Sequence, residues 1–174
     1  IFSMQDTTKR YGSISYTTTP EESALRAQVE NEERYNVSFT RPVQESVTSL
    51  AELHFYPPIK GIVSGKYDAS RKHFGTDIVA KPRSAAAAVL DGTVIFTGWT
   101  METGYVIEIQ HPNNLVTVYK HNASLLKETG DKVRAGESVS IVGDSGEMYT
   151  SGPHLHFEIW SKGTSLDPEK HILF

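Results

Sequence analysis

The sequence predicts a mainly β protein: an antiparallel β-sheet, sandwich-like domain behind a short N-terminal helical arm. Three observations carry this reading. From Ile59 onward, short apolar runs alternate with clusters of Gly, Pro, Asn and Asp, the pattern of strands joined by turns. Ahead of them, two segments repeat apolar residues at helical spacing instead. Between the two regimes lies Phe55-Tyr56-Pro57-Pro58, an extended connector that cannot continue a helix. The expected organisation is therefore an arm over 1–56 and a β-domain over 57–174.

In the arm, Ile1 to Tyr16 is polar and rich in Ser and Thr, without useful periodicity. Thr19-Pro20-Glu21-Glu22 then gives a helix start, with Thr as N-cap, Pro at the first helical position and Glu completing a capping box. That helix is expected to run from Pro20 to about Tyr35, on a thin apolar stripe of Leu25 and Val29. A second helix is expected from Val43 to about Leu53, where Val43, Val47, Leu50 and His54 recur at helical spacing. Two such thin helices cannot fold alone, so the arm is expected to dock on the domain or on a partner.

In the β-domain, Ile62–Ser64 and Thr76–Val79 read as short strands. Ala87–Leu90 and Thr93–Phe96 flank a turn at Asp91-Gly92, and Ala85–Ala88 reads as a tightly packed strand entry. Gly104–Gln110 and Val116–Tyr119 alternate on either side of His111-Pro112-Asn113-Asn114, an antiparallel hairpin. Asn122 to Thr129 is expected to form a short helical turn ending at Gly130, followed by strands at Lys132-Val133 and Ser138–Val142. The last strand, Pro153–Trp160, is the most informative. His154, His156, Glu158 and Trp160 share one face, and Leu155, Phe157 and Ile159 share the other. The apolar set fixes the register against a core, so both imidazoles are aimed the same way.

Composition narrows the chemistry. The chain has 174 residues, 17 Lys and Arg against 21 Asp and Glu, and a formal net charge of −4, so no nucleic-acid footprint is indicated. No apolar run approaches the roughly 20 residues of a membrane helix. There are no cysteines, which excludes disulfides, thiolate zinc sites and a cysteine nucleophile. A metal would have to be held by His, Asp or Glu.

Those residues occur in suggestive groups. His154 and His156 stand two apart on a strand and can share one site. In His73-Phe74-Gly75-Thr76-Asp77, an imidazole and a carboxylate can converge, with Gly75 letting the backbone turn. His121 ends a strand. His54, His111 and His171 have no evident partners and are read as unrelated to a site.

Together, His73-x-x-x-Asp77, His121 and His154-Leu155-His156 resemble the lysostaphin/LytM-type zinc endopeptidases that cut peptidoglycan peptides. The resemblance runs from about Ile59 to Pro168 and includes Asp91-Gly92-Thr93-Val94, Gly130-Asp131-x-Val133-x-Ala135-Gly136 and Ser151-Gly152-Pro153. It implies one zinc ion per chain, with His73, Asp77 and His156 as ligands and His121 and His154 as catalytic histidines. Glu158 shares a face with His156 and can orient its ring, although a solvated strand carboxylate is the favoured reading. Tyr119, two before His121, is expected on the same face as that histidine, lining the cleft or packed into its wall. The sequence departs from the family after the Asp, where Ala80-Lys81-Pro82-Arg83-Ser84 lacks the usual Gly. It departs again after Tyr105, where the usual Gly-Asn is missing. These changes bear on substrate preference.

The resemblance further implies peptidoglycan peptides as substrate and the cell envelope or periplasm as location. Membrane attachment would come only through a segment outside this chain, and the arm would offer contacts to other cell-wall enzymes. The alternative is a catalytically silent relative that regulates cell-wall hydrolases; retention of all five positions argues against it. Gly130–Glu137 is also similar to the turns of biotinyl and lipoyl carrier domains, but Gly143-Asp144-Ser145-Gly146 lacks the lysine such a carrier needs.

Overall fold

In the computed structural model, residues 49–146 and 152–174 are described. The strands are β1 (Ile62–Gly65), β2 (Thr76–Val79), β3 (Ala85–Ala87), β4 (Gly92–Thr100), β5 (Gly104–His111), β6 (Leu115–Leu125), β7 (Lys132–Val133), β8 (Ser138–Val142), β9 (His154–Ser161) and β10 (Thr164–Leu166). They form one antiparallel sheet in the order β1-β2-β9-β6-β5-β4-β7. Off that path, β10 pairs with β9, and β8 joins β3 to β6. Among the described residues no helix is long and apolar enough to cross a membrane.

The helix expected over Pro20–Tyr35 lies outside the described residues, as does most of the one expected over Val43–Leu53. The described end of the latter is a 3₁₀ turn, Leu50–Glu52, followed by extended backbone at Leu53. Beyond it the connector runs alongside the domain: the Tyr56 N–H donates to the Val89 carbonyl and the Ala87 N–H to the Pro58 carbonyl, both at 2.8 Å.

Strand β9 lies between β2 and β6, and its apolar face builds the core. Leu155, Phe157 and Ile159 are fully buried with Ile78, Ile107, Ile109, Leu115 and Tyr119. Its other face, expected to be half-solvated, is buried as well. A second apolar cluster of Ile95, Val106, Val116, Val118 and Trp160, with Phe74 and Phe96 packed against it, covers that side.

Two local expectations are corrected. Asn122–Thr129 is not a helical turn through its length: β6 continues to Leu125, because Asn122, Ser124 and Leu125 pair with β8 and Asn122 also pairs with Tyr105. The Asn122 amide reinforces this by donating to the carbonyls of Tyr105 and Tyr119, both at 2.9 Å. Sheet pairing thus outweighs the local turn tendency of Asn and Ser. The strand expected over Ala87–Leu90 falls earlier, at Ala85–Ala87, with Ala88 and Val89 buried just past its end.

His111, read as partnerless, is fully buried and bonded at both nitrogens. Nδ1–H donates to the Asp91 carbonyl and Nε2 accepts from the Thr117 hydroxyl, each at 2.8 Å. Burial disfavours the charged ring and pushes its pKa from 6.5 down to about 4. Between those values the unfolded chain binds more protons than the folded one, so stability falls as pH drops through that window. The full loss is about 3 kcal/mol. His111→Asn cannot titrate and should lose that part of the acid slope, as read by urea denaturation at several pH values.

Candidate metal and catalytic site

The register of the central strands assembles the site. Asp77 on β2 lies directly across from His156 on β9, and Lys120 on β6 lies across from His156 on its other side. All three side chains stand on the face opposite the main core. The Asp77 carboxylate accordingly sits 2.7 Å from His156 Nδ1.

His73 arrives by a compact loop. Asp68 caps a 3₁₀ turn at Ala69–Arg71 through the N–H groups of Ser70 and Arg71, and Lys72 reverses the chain in left-handed backbone (φ 60°). Backbone bonds between Asp68 and His73 close the loop at 2.8 and 2.9 Å. The ring of His73 is thereby placed with Nε2 3.1 Å from Asp77 and Nδ1 2.6 Å from the Lys66 carbonyl. Gly75 is required for close approach: a Cβ there would meet His156 Nε2 at 2.8 Å and Glu158 Cγ at 2.9 Å.

His121 reaches the same place by breaking the strand pattern. Strict alternation would send it to the core face with Tyr119. Instead, left-handed backbone at His121 (φ 63°) re-aims the side chain, and the β6–β8 register shifts just beyond it. Its Nδ1–H donates to the Ser145 carbonyl at 2.8 Å. Ser145 is anchored in turn: its hydroxyl donates to the Asn122 carbonyl and accepts from the Tyr105 N–H. Gly104 (φ 61°) leaves the room, since a Cβ there would collide with Ser145.

His154 donates Nδ1–H to the Gly152 carbonyl at 2.9 Å, and its buried Nε2 has no partner among the described residues. The ring centroids of His73 and His156 are 5.1 Å apart, those of His121 and His154 5.1 Å, and those of His121 and His156 6.1 Å. All five residues singled out by the sequence therefore converge.

The other two expectations at the site are corrected. Tyr119 does not share a face with His121. It is fully buried in the core, its hydroxyl donating to the Ala87 carbonyl at 3.0 Å and its ring edge-on to Phe157. Glu158 is not a solvated carboxylate: it is 5% exposed. Its Oε1 accepts from His156 Nε2 at 2.9 Å and from Lys120 Nζ at 2.6 Å, and its Oε2 accepts from Trp160 Nε1 at 2.7 Å. Lys120 was overlooked in the sequence, although Val116 and Val118 alternate straight into it and put it on the site face. Glu108 lies near the same ammonium; burial pushes its carboxyl up to about 8, with Lys120 opposing and Glu158 adding to the rise.

The electrostatics favour a cation among these residues. Burial opposes ionisation of Asp77, but hydrogen bonds from His156 and His73 hold its carboxyl well below the usual range. His73 is raised by its bond to Asp77. For His156, burial works downward but the bonds to Asp77 and Glu158 prevail and raise it. Each of these rings has an oxygen acceptor against both nitrogens, whereas a neutral imidazole can donate only once. The second nitrogen of each ring is therefore set to meet a cation or a proton. A divalent cation among His73 Nε2, an Asp77 oxygen and His156 Nδ1 would take the place of protons, and the three residues offer ligand atoms within 4.8 Å of one another. Two nitrogens and a carboxylate oxygen suit zinc, with further coordination positions left open. The site residues therefore fit a catalytic zinc. His121 differs: burial first, then the neighbouring His156, His154 and Lys120, push it down to about 4, so its ring is neutral.

A sheet bearing this constellation is that of a metallopeptidase fold, and comparison with known proteins agrees. The chain belongs to Peptidase family M23, whose profile matches residues 71–168, all five converging residues included; this is the lysostaphin/LytM-type family. It is similar to Murein hydrolase activator NlpD of Salmonella dublin, 32% identical over 139 residues, covering 78% of this chain and 36% of that protein. It is also similar to Peptidoglycan DD-endopeptidase ShyC of Vibrio cholerae, 33% identical over 98 residues, covering 56% of this chain and 22% of the relative. Among solved structures, a zinc-containing peptidase from Vibrio cholerae superposes with a TM-score of 0.64 at 27% identity, covering 70% of this chain and 41% of the other. The chain thus spans about a third or less of the length of these two curated relatives.

Proposed function

We propose that this domain is a zinc-dependent peptidoglycan endopeptidase that hydrolyses an amide bond in stem or cross-link peptides of the cell envelope. One observation supports it above the rest: beside the His73–Asp77–His156 cluster stand two further imidazoles, His121 and His154, each with Nδ1–H tied to a backbone carbonyl. In this reading His73, Asp77 and His156 hold the ion. Bound there, zinc supplies a Lewis acid that polarises a carbonyl and acidifies water.

The chain's own groups supply proton handling. With Nδ1–H committed to Ser145 and Gly152, His121 and His154 present Nε2 as a bare acceptor, suited to take a proton from an attacking water and return it to a leaving amine. The same nitrogens, once protonated, can donate to a developing oxyanion. The low affinity of His121 for protons keeps its ring neutral before reaction. The site therefore starts with an acceptor in place.

The match to a murein hydrolase activator supports a second reading, a domain that stimulates other cell-wall hydrolases, with residues 1–56 as the contact. Defined cross-linked muropeptides separate the two. Cleavage that stops with chelator and returns with zinc is expected here. No cleavage by zinc-loaded protein, together with a higher rate of an added murein hydrolase, would favour the activator.

A further inference from the structure

Four histidines meet at this site, and their ring orientations differ in one respect. His73, His121 and His154 each give Nδ1–H to a backbone carbonyl, of Lys66, Ser145 and Gly152 respectively, and so turn Nε2 toward the site. His156 is reversed: Nδ1 faces Asp77, and Nε2 faces a side chain, Glu158. Backbone carbonyls are fixed by the fold. Apart from Asp77, itself in the candidate ligand set, Glu158 is the one side chain among the described residues that bonds a ring in this group.

We propose that Glu158 is the positioning residue of the metal site, fixing His156 with its proton on Nε2 so that Nδ1 is the nitrogen offered to zinc. The inference rests on the zinc reading above and deepens it. The carboxylate is itself immobilised from three directions. It accepts from His156, from Lys120 and from the Trp160 indole, which leaves little freedom for it to swing toward the ion as a ligand of its own. Lys120 Nζ stands 2.6 Å from the carboxylate and offsets its buried charge. Gly75 packs against Glu158 and His156 together, so loop, carboxylate and ring form one unit. Hydrogen-bonded partners behind a metal-binding imidazole set its orientation and raise its basicity.

The test removes the carboxylate without stranding the ammonium. Lys120→Met leaves Glu158 on His156, whereas Lys120→Met/Glu158→Leu replaces the buried ion pair by apolar groups, a change that folded proteins often tolerate. Zinc affinity, measured by competition with a chromogenic chelator, should fall less in the single variant, which keeps the Glu158 oxygen on His156 but loses its counter-charge, than in the double variant. In the double variant it should fall by about ten- to a hundredfold. Long-range ¹H–¹⁵N spectra of the zinc-loaded proteins should place the His156 proton on Nε2 in the parent and single variant, and lose that signature in the double variant. Cobalt-substituted protein should show a changed visible spectrum only in the double variant. If circular dichroism shows the double variant unfolded, Glu158→Asp carries the same test, since it keeps the charge and withdraws it from His156 by one methylene. Equal affinity with unchanged spectra would overturn the positioning role while leaving the zinc peptidase standing. A parental protein that binds no zinc would instead overturn the zinc reading, and this inference with it.

Discussion

His154→Ala is expected to keep zinc and lose turnover. The side chain lies among the metal-binding candidates but outside the three-residue ligand set: its Nδ1–H is committed to Gly152, and its Nε2 has no partner among the described residues. Removing it takes away a proton acceptor and leaves His73, Asp77 and His156 in place. The loss in kcat against a cross-linked muropeptide should be at least about a hundredfold, the scale of one general acid–base group. His121→Ala should behave alike, because its ring is held in the same way by Ser145. Zinc content measured alongside the rate separates this from a ligand defect. A variant that digests muropeptides at the parental rate would remove His154 from the mechanism.

Asp77→Ala is expected to do the opposite and strip the metal. Its two oxygens bond both neighbouring imidazoles, Oδ1 on His156 and Oδ2 on His73. The carboxylate also supplies the one negative charge of the three-residue set. Loss of zinc affinity should therefore exceed the about hundredfold upper range for removing a partner behind a ligand. Chelator competition on the folded variant reads it. Unchanged affinity would mean that the ion is held elsewhere.

Much of this was legible in the sequence because strands write their faces in alternate residues. The Leu155-Phe157-Ile159 face fixed the register of β9, and with it the direction of His154 and His156. The convergence of Asp77 with His156 needed only that β2 and β9 be neighbours. Where reading failed, the cause was non-local or conformational. Tyr119 and His121 were assigned one face because alternation cannot foresee a left-handed residue at His121. The burial of Glu158 is not legible locally, because nothing near it in sequence announces Phe74, Phe96 and Val118 closing over that side of the sheet. The carbonyls of Lys66, Gly152 and Ser145, which set three of the imidazoles, carry no sequence signal at all. Lys120 is different: the alternation through Val116 and Val118 pointed to it.

The proposed activity depends on one ion shared by His73, Asp77 and His156. Elemental mass spectrometry of the purified protein after reconstitution should find about one zinc per chain, falling to background in Asp77→Ala. Parental protein without zinc, or a variant that retains it in full, would contradict the account.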